Sequence, residues 1–158
     1  MKINDIMTKG VISVKATESV AMAAKTMLDN DIGGLPVIDE QNNLVGMITE
    51  SDFIGKKVDI PHAMVSMTQL LGQTHYNADI LQVFDKCKNT SVQDVMSKKL
   101  YTLSSSATLT DANYLLLSNE ISRIPIVDDN KLVGIVTKRD ILKVFSSSIN
   151  QHARAQVV

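Results

Sequence analysis

The chain contains two copies of one sequence pattern, and this duplication constrains its fold more than any other feature. The stretch Leu44–Asp52 (LVGMITESD) occurs again as Leu132–Asp140 (LVGIVTKRD), offset by 88 positions. Two further pairs of segments match at an offset of 89, namely Asp5-Ile6-Met7 with Asp94-Val95-Met96 and Leu35–Asp39 with Ile124–Asp128. Because half of 158 residues is too short to bury a good core alone, we expect the two copies to pack on each other.

Each copy has the composition of a buried strand that runs directly into a helix. Apolar, mostly β-branched residues favour the strand. Gly46 and Gly134 interrupt these strands, which indicates close approach of another backbone or of a ligand. The Thr that follows, with an Asp three positions later, is typical of a helix N-terminus. The pattern therefore predicts two equivalent strand-to-helix junctions.

The Thr-x-x-Asp pattern has two interpretations. It can be a capping box, in which the Thr oxygen accepts an N–H of the first turn and the Asp reaches back. It can also bind a ligand, because a helix N-terminus at a strand end suits a phosphate and a short carboxylate can accept both hydroxyls of a ribose. A duplicated fold would duplicate its caps as well, so duplication alone leaves both interpretations open.

Hydrophobic periodicity around the junctions predicts the order β-α-β-β-α in each half, and hence an α/β (α+β) fold of two pseudo-symmetric repeats. The apolar positions Val20, Ala23, Ala24 and Met27 fall on one helical face. The predicted strands are Val11–Val14, Leu35–Ile38 and Leu44–Ile48 in the first half and Leu100–Leu103, Ile124–Val127 and Leu132–Val136 in the second. Helices are predicted from Thr17 or Ser19, from Thr49 to about Lys57, from Ser106 or Thr108, and from Thr137 through Phe145.

The predicted segments are a first repeat (1–57), a helical insertion (58–90), a second repeat (91–145) and a polar C-terminal tail (146–158). The insertion has no counterpart in the repeat and carries an apolar helical stripe. It can form a satellite core or a surface for a partner, since Met adapts to irregular contacts. The stripe consists of Ala63, Met64, Met67, Leu70 and Leu71. His62 and His75 lie near it, but without a Cys or carboxylate cluster we expect no metal site.

Composition excludes several classes of protein. The formal net charge is −1 with both signs interspersed, which gives no electrostatic footprint for nucleic acid or for an acidic membrane surface. Cys87 is the only cysteine, so there is no disulfide framework. No apolar run is long enough to span a bilayer, and the first residues lack the apolar core of a signal peptide. We therefore expect a cytoplasmic protein.

The duplicated unit, with its Asp-Ile/Val-Met opening and its Pro-containing strand, resembles the CBS domain, and two units in tandem resemble a Bateman module. The resemblance implies binding of AMP, ADP, ATP or S-adenosylmethionine in clefts between the repeats, not as catalytic cofactors but as ligands. It implies ribose contacts from Asp52 and Asp140, phosphate contacts from Thr49 and Thr137, and base contacts from Val11, Ile12, Tyr101 and Thr102. Gly34 and Arg123 would face the phosphate. Such modules often pair into a flat dimeric disc.

The two junctions differ in local charge. Lys138 and Arg139 stand between Thr and Asp at the second junction, and Arg123 occupies the matched position before the Pro-containing strand. The first junction has Glu50 and Gly34 instead. Because Arg offers a fork of donors to phosphate, we expect the second junction to be the stronger phosphate site, provided that these side chains face inward and not toward solvent.

The leading interpretation is a regulatory module that senses an adenosine-containing nucleotide, forms a homodimer and acts on a regulated protein partner. The alternative is a ligand-independent module for dimerisation or assembly. Catalysis is not expected, because the sequence shows no Cys–His pair at a plausible site, no Walker-type phosphate loop and no metal-ligand motif.

Overall fold

The computed structural model describes residues 1–53, 85 and 88–155, with the side chains of 148–155 left out. The predicted insertion stripe (Met64, Met67, Leu70 and Leu71), His62, His75 and Cys87 lie outside the described residues.

The first half contains a short 3-10 helix, three strands and two helices. The 3-10 helix is Ile3–Asp5, and the strands are β1 (Val14–Lys15), β2 (Gly34–Ile38) and β3 (Leu44–Thr49). The helices are α1 (Val20–Asp29) and α2 (Glu50–Phe53). Of the two predicted helix starts, Thr17 and Ser19, the structure has Ser19, whose side chain accepts a hydrogen bond from Met22 N at 3.2 Å. The strands form one sheet in the order β1-β2-β3, with β1 parallel to β2.

The second half repeats this arrangement. It contains α3 (Val92–Val95), α4 (Leu109–Ser118), β4 (Arg123–Asp128), β5 (Lys131–Thr137) and α5 (Lys138–Ala155). Strands β4 and β5 are antiparallel, with Arg123 opposite Thr137 and a register shift between Ile126 and Val127. Thr108 caps α4 as predicted. The mixed α/β fold with two repeats is therefore confirmed.

The chain forms two compact units, each with its own apolar core. The Asp52 unit comprises Ile12–Gln41 and Val45–Leu100. The Asp140 unit comprises Met1–Val11, Asn42–Leu44 and Tyr101–Val158. The buried core of the Asp52 unit includes Val20, Leu35, Val37, Ile48 and Val92, and that of the Asp140 unit includes Ile3, Ile124, Ile126, Val136 and Ile141.

Each unit is completed by a segment that lies far away in the sequence. In the Asp140 unit, Ile3 N donates to Ala107 O at 2.9 Å, and Thr8 pairs with Ile135. In the Asp52 unit, Val92 N donates to Glu18 O at 2.8 Å, and Met47 pairs with Ser97. The segment that opens each sequence repeat therefore packs with the strands of the other repeat.

The two strand glycines accommodate methionine side chains from these opening segments. A Cβ atom on Gly134 would overlap Sδ of Met7, and one on Gly46 would overlap Sδ of Met96. The close neighbour expected at each glycine is thus a side chain within the same unit. This contact explains why Asp-Ile/Val-Met and the strand glycine recur together in both repeats.

Three predicted elements differ in length from the structure. Ladder pairing of the first strand begins only at Val14, and Leu100–Leu103 contributes a single bridge between Leu103 and Ile126. β-Propensity identifies extended residues, but a ladder also needs a neighbouring strand in register. Helix α5 continues to Ala155, beyond its predicted end at Phe145. Adding a residue to an existing helix costs little, so a polar segment can extend it.

Candidate functional site

The two strand-to-helix junctions share one backbone arrangement. At the first, Glu50 N donates to Gly33 O at 3.3 Å; at the second, Lys138 N donates to Ser122 O at 3.1 Å. Both acceptors immediately precede the Pro-containing strand. These bonds attach the start of each helix to the neighbouring strand and also engage one N–H of each helix N-terminus.

Each junction Thr is bonded to its junction Asp. Asp52 Oδ2 accepts from Thr49 N at 2.8 Å and from Thr49 Oγ1 at 3.1 Å. Asp140 Oδ2 accepts from Thr137 N at 3.0 Å and from Thr137 Oγ1 at 2.7 Å. The Asp therefore reaches back to its Thr at both junctions, as in a capping box, and at the second junction Thr137 Oγ1 also accepts from Asp140 N at 3.3 Å. Because each Thr hydroxyl donates its proton to the carboxylate, it would have to rotate away in order to donate to a phosphate.

The same hydrogen bonds occur at a helix start outside the junctions. Asp111 Oδ2 accepts from Thr108 N at 2.8 Å and from Thr108 Oγ1 at 2.7 Å, at the beginning of α4. A Thr-x-x-Asp cap is thus a recurrent local structure in this chain, and its geometry alone does not identify a ligand site. A ligand-binding site can be distinguished from a simple helix cap only by the surroundings of the carboxylate.

Asp140 differs from Asp111 in its burial and in its partners. Asp140 is 6% exposed, and no other charged residue in the described part of the chain is buried. Asp111, in contrast, is exposed. Its second oxygen, Oδ1, accepts from Lys143 Nζ at 2.8 Å. Burial by itself raises the pKa of Asp140, but the hydrogen bonds from Lys143 and Thr137 and the positive charge of Lys143 outweigh it. The net pKa lies below the ordinary value, so the carboxyl is ionised at neutral pH.

A cavity of about 350 Å³ lies beside Asp140 in the Asp140 unit. Its walls come from the N-terminal segment and from one face of α5. The lining residues are Met1, Asp5, Ile6, Thr8, Asp140, Lys143, Val144 and Ser147. The cavity therefore presents the buried carboxylate of Asp140 and the exposed one of Asp5, together with an ammonium group, two hydroxyls and apolar surface. Its volume falls within the range of small-molecule sites.

The predicted phosphate-binding cations are unequally placed. Arg123 begins β4, is half-buried, and has a fully buried Nη1 atom, whereas Lys138 and Arg139 are exposed at the start of α5. Glu50 is exposed in the matching position of the first junction. One guanidinium nitrogen of Arg123 is thus enclosed by the protein, whereas the side chains of Lys138 and Arg139 are in contact with solvent.

The remaining predicted site residues lie in several places. Gly34 is buried at the start of β2, next to the Gly33 carbonyl that binds α2. Tyr101 and Val11 are half-buried and belong to the Asp140 unit, together with the exposed Thr102. Ile12 is 39% exposed and belongs to the Asp52 unit. Thr137 and Asp140 are in direct contact, and so are Thr49 and Asp52.

Sequence reasoning missed Lys143. An Asp and a Lys three positions apart on a helix are neighbours on its surface, so the spacing of Asp140 and Lys143 was the available signal. It also missed Met7 and Met96 as the partners of the strand glycines, because nothing local connects positions so far apart.

Within the described residues, no group of three or more His, Cys, Asp and Glu side chains could hold a metal ion. The same part of the chain contains no helix that is long and apolar enough to cross a membrane.

Known proteins with this architecture are numerous. The chain is similar to the CBS domain of a CBS domain containing membrane protein from Sphaerobacter thermophilus, with 33% identity, a TM-score of 0.75, and coverage of 90% of this chain and 86% of that one. It is similar to the CBS domain pair of protein MJ0100 in complex with 5-methylthioadenosine and S-adenosyl-L-methionine, with 25% identity, a TM-score of 0.68, and coverage of 94% and 98%. It is also similar to CBSX2 in complex with AMP, with 27% identity, a TM-score of 0.68, and coverage of 92% and 96%.

Other relatives are much longer than this chain. The chain spans 31% and 23% of the length of two curated relatives from Methanocaldococcus jannaschii, the second of which is an inosine-5'-monophosphate dehydrogenase. The CBS domain profile matches residues 3–59 and 92–147, which correspond to the two sequence repeats. With both repeats matched over well more than half of its length, the chain belongs to the CBS domain family.

Proposed function

We propose that this chain is a regulatory module that binds an adenosine-containing nucleotide at the two junctions ending in Asp52 and Asp140, without converting it. The observation that carries the proposal is the 6% exposed Asp140 carboxylate in the wall of a cavity of about 350 Å³. A carboxylate in the wall of a cavity can accept hydrogen bonds from a diol. The adenosine-type ligands of the MJ0100 and CBSX2 complexes support this ligand class.

The proposed roles follow from the chemistry of each side chain. Asp52 and Asp140 accept the ribose hydroxyls, and Arg123 donates to phosphate from its half-buried position at the start of β4. Lys138 and Arg139 add positive charge at the second junction. The further proposed contacts are Thr49 and Thr137 with phosphate, Val11, Ile12, Tyr101 and Thr102 with the base, and Gly34 with the phosphate region.

Two matched variants test the role of Asp140. Asp140→Asn and Asp111→Asn each replace the carboxylate of a Thr-x-x-Asp cap with an amide, but only Asp140 lines the cavity. Isothermal titration with AMP, adenosine and S-adenosylmethionine measures binding to both variants and to the unmodified protein. We expect Asp140→Asn to weaken the tightest binding event by roughly tenfold or more, since a hydrogen bond to a charged group contributes about 1.5–3 kcal/mol.

The control should retain the affinity of the unmodified protein, because Asp111 only caps α4. Equal losses in the two variants would mean that helix capping, not ligand contact, explains the effect. If no adenosine compound produces heat or raises the melting temperature, the nucleotide proposal is wrong.

Assembly is the second candidate function, and specific residues favour it. Tyr114 and Leu117 on α4 are 70% and 75% exposed, and Leu142 and Phe145 on α5 are 67% and 54% exposed. Helices α4 and α5 pack together in the Asp140 unit. Large apolar side chains grouped on neighbouring helices mark an interaction surface. We propose a second copy of this chain as the occupant, in keeping with the dimeric disc that the family resemblance implies.

The regulated protein partner and the cytoplasmic location stay predictions of the sequence. Since the chain spans less than a third of two of its longer relatives, the activity that the nucleotide would regulate is also a proposal about a protein beyond this module.

A further inference from the structure

The carboxylate of Asp140 is already engaged on both oxygens. Oδ2 accepts two hydrogen bonds from Thr137, and Oδ1 accepts one from Lys143 Nζ at 2.8 Å. A carboxylate offers roughly four lone-pair positions. Three are occupied, so a diol that needs two acceptor positions must displace a protein donor.

Lys143 is the donor that a ligand can displace. Its side chain is 66% exposed, and it lines the cavity together with Asp140. Thr137 donates from its backbone and from a short side chain, of which only the hydroxyl could turn away, toward the phosphate as proposed above. The lysine has a flexible four-carbon stem whose ammonium group can move into water when its partner is taken.

The sequence differs at the position of the first junction that corresponds to Lys143. At the offset of 88 that relates the two junctions, this position is Gly55, which has no side chain. Asp52 is bonded by Thr49 as Asp140 is bonded by Thr137. The first repeat therefore does not reproduce the lysine that stands three positions after the junction Asp.

We propose that Lys143 determines ligand specificity at the second junction by occupying the Asp140 carboxylate until a ligand displaces it. A neutral nucleoside that binds Asp140 separates Lys143 from the carboxylate and offers the released ammonium no other anion. A nucleoside monophosphate brings an anion, which the released ammonium can neutralise close to the cavity. The junction thereby discriminates in favour of nucleotides over nucleosides. This inference rests on the proposed binding of adenosine ligands at Asp140.

Isothermal titration of adenosine and AMP, at low and at moderate salt, tests the proposal with Lys143→Met. Methionine keeps an unbranched stem and removes the charge. Because the ammonium of Lys143 is 66% exposed, breaking its bond to the buried carboxylate should cost only a fraction of a kcal/mol to about one, so adenosine should bind the variant roughly twofold to fivefold more tightly at low salt. The ratio of AMP affinity to adenosine affinity should fall by at least the same factor.

Salt provides a second readout. Because screening weakens an exposed ion pair, the affinity of the unmodified protein for adenosine should rise with salt, although adenosine carries no charge. Lys143→Met should lose this dependence. Lys25→Met is the matched control: Lys25 also forms an exposed ion pair on a helix, with Asp29, so the variant removes the same charge away from the junction.

The outcomes separate the two proposals. Adenosine that binds Lys143→Met and the unmodified protein equally at every salt concentration overturns the role of Lys143 and leaves nucleotide binding intact. A gain in adenosine affinity in Lys25→Met as large as that in Lys143→Met assigns the effect to net charge and also overturns it. Failure of all proteins to bind adenosine and AMP overturns the proposed function and this inference together.

Discussion

The Asp140 carboxylate has a structural role that is observed, and the same atoms have the ligand-binding role that we propose. Its carboxylate caps α5 through Thr137, pairs with Lys143 and lines the cavity. The cap alone gives an Asp at this position a structural role that needs no ligand. The burial and the cavity, which Asp111 does not share, are what favour a binding role.

The lowered pKa of Asp140 makes its contribution to stability dependent on pH. A carboxyl whose pKa is lower in the folded than in the unfolded protein stabilises the fold above its ordinary pKa of 3.8, and this stabilisation is lost as the pH falls through the lowered folded value. Asp140→Asn should therefore reduce the free energy of unfolding at neutral pH by about 1 kcal/mol, in the range measured for lost helix caps.

Urea unfolding of the variant and the unmodified protein checks this prediction at neutral pH and in the most acidic buffer in which both still fold. The difference in the free energy of unfolding between the two proteins should become smaller in acid, because the Asp140 carboxyl of the unmodified protein becomes protonated there. A difference that stays constant across this range would show that the loss comes from packing and not from the ionised group.

At the scale of elements, the glycine in each core strand is paired with a methionine from the opening segment of the other repeat. Gly134 lies in β5 and Met7 follows the 3-10 helix Ile3–Asp5, yet the two touch within the Asp140 unit. The absence of a Cβ lets the opening segment approach the strand closely enough for Thr8 to pair with Ile135.

Gly134→Ala should destabilise the protein by about 1–3 kcal/mol, because the new methyl group overlaps the Met7 side chain and the well-packed segment has to shift. Thermal or urea unfolding measures the loss. The double variant with Gly134→Ala and Met7→Ala should lose less stability than the sum of the two single variants, since the truncated side chain at position 7 leaves room for the new methyl group. Strict additivity would mean that Gly134 is required for its backbone and not for this contact.

At the scale of the whole molecule, the exposed apolar residues of α4 and α5 lead us to predict a homodimer. Phe145→Glu places a charge among Tyr114, Leu117 and Leu142 and should shift the protein toward monomer in sedimentation at micromolar concentration. Ser147→Glu adds the same charge to the same helix about 160° away from Phe145 and about 140° away from Leu142, and this control should stay dimeric. A purely monomeric unmodified protein, with and without nucleotide, would contradict the prediction.

Local patterns in the sequence were sufficient for the repeat, the order of strands and helices and the caps at Ser19 and Thr108. Apolar periodicity reports which face of an element is buried, and a capping residue acts on backbone only three positions away. The Thr-Asp pairs at both junctions were found for the same reason. The pattern could not separate cap from ligand site, because Thr108–Asp111 shows that the hydrogen bonds are the same in both cases.

What the sequence by itself determined is therefore the duplicated junction and the family to which the chain belongs. Only the tertiary structure decided that each opening segment packs with the strands of the other repeat, that Met7 and Met96 fill the space above the glycines, and that Asp140 is buried beside a cavity. These features depend on contacts between residues about fifty or more positions apart, whose pairing is set by the mutual fit of surfaces. Lys143 combines both kinds of information. Its spacing from Asp140 can be read from the sequence, but its proposed role depends on the burial of the Asp140 carboxylate, which only the tertiary structure shows.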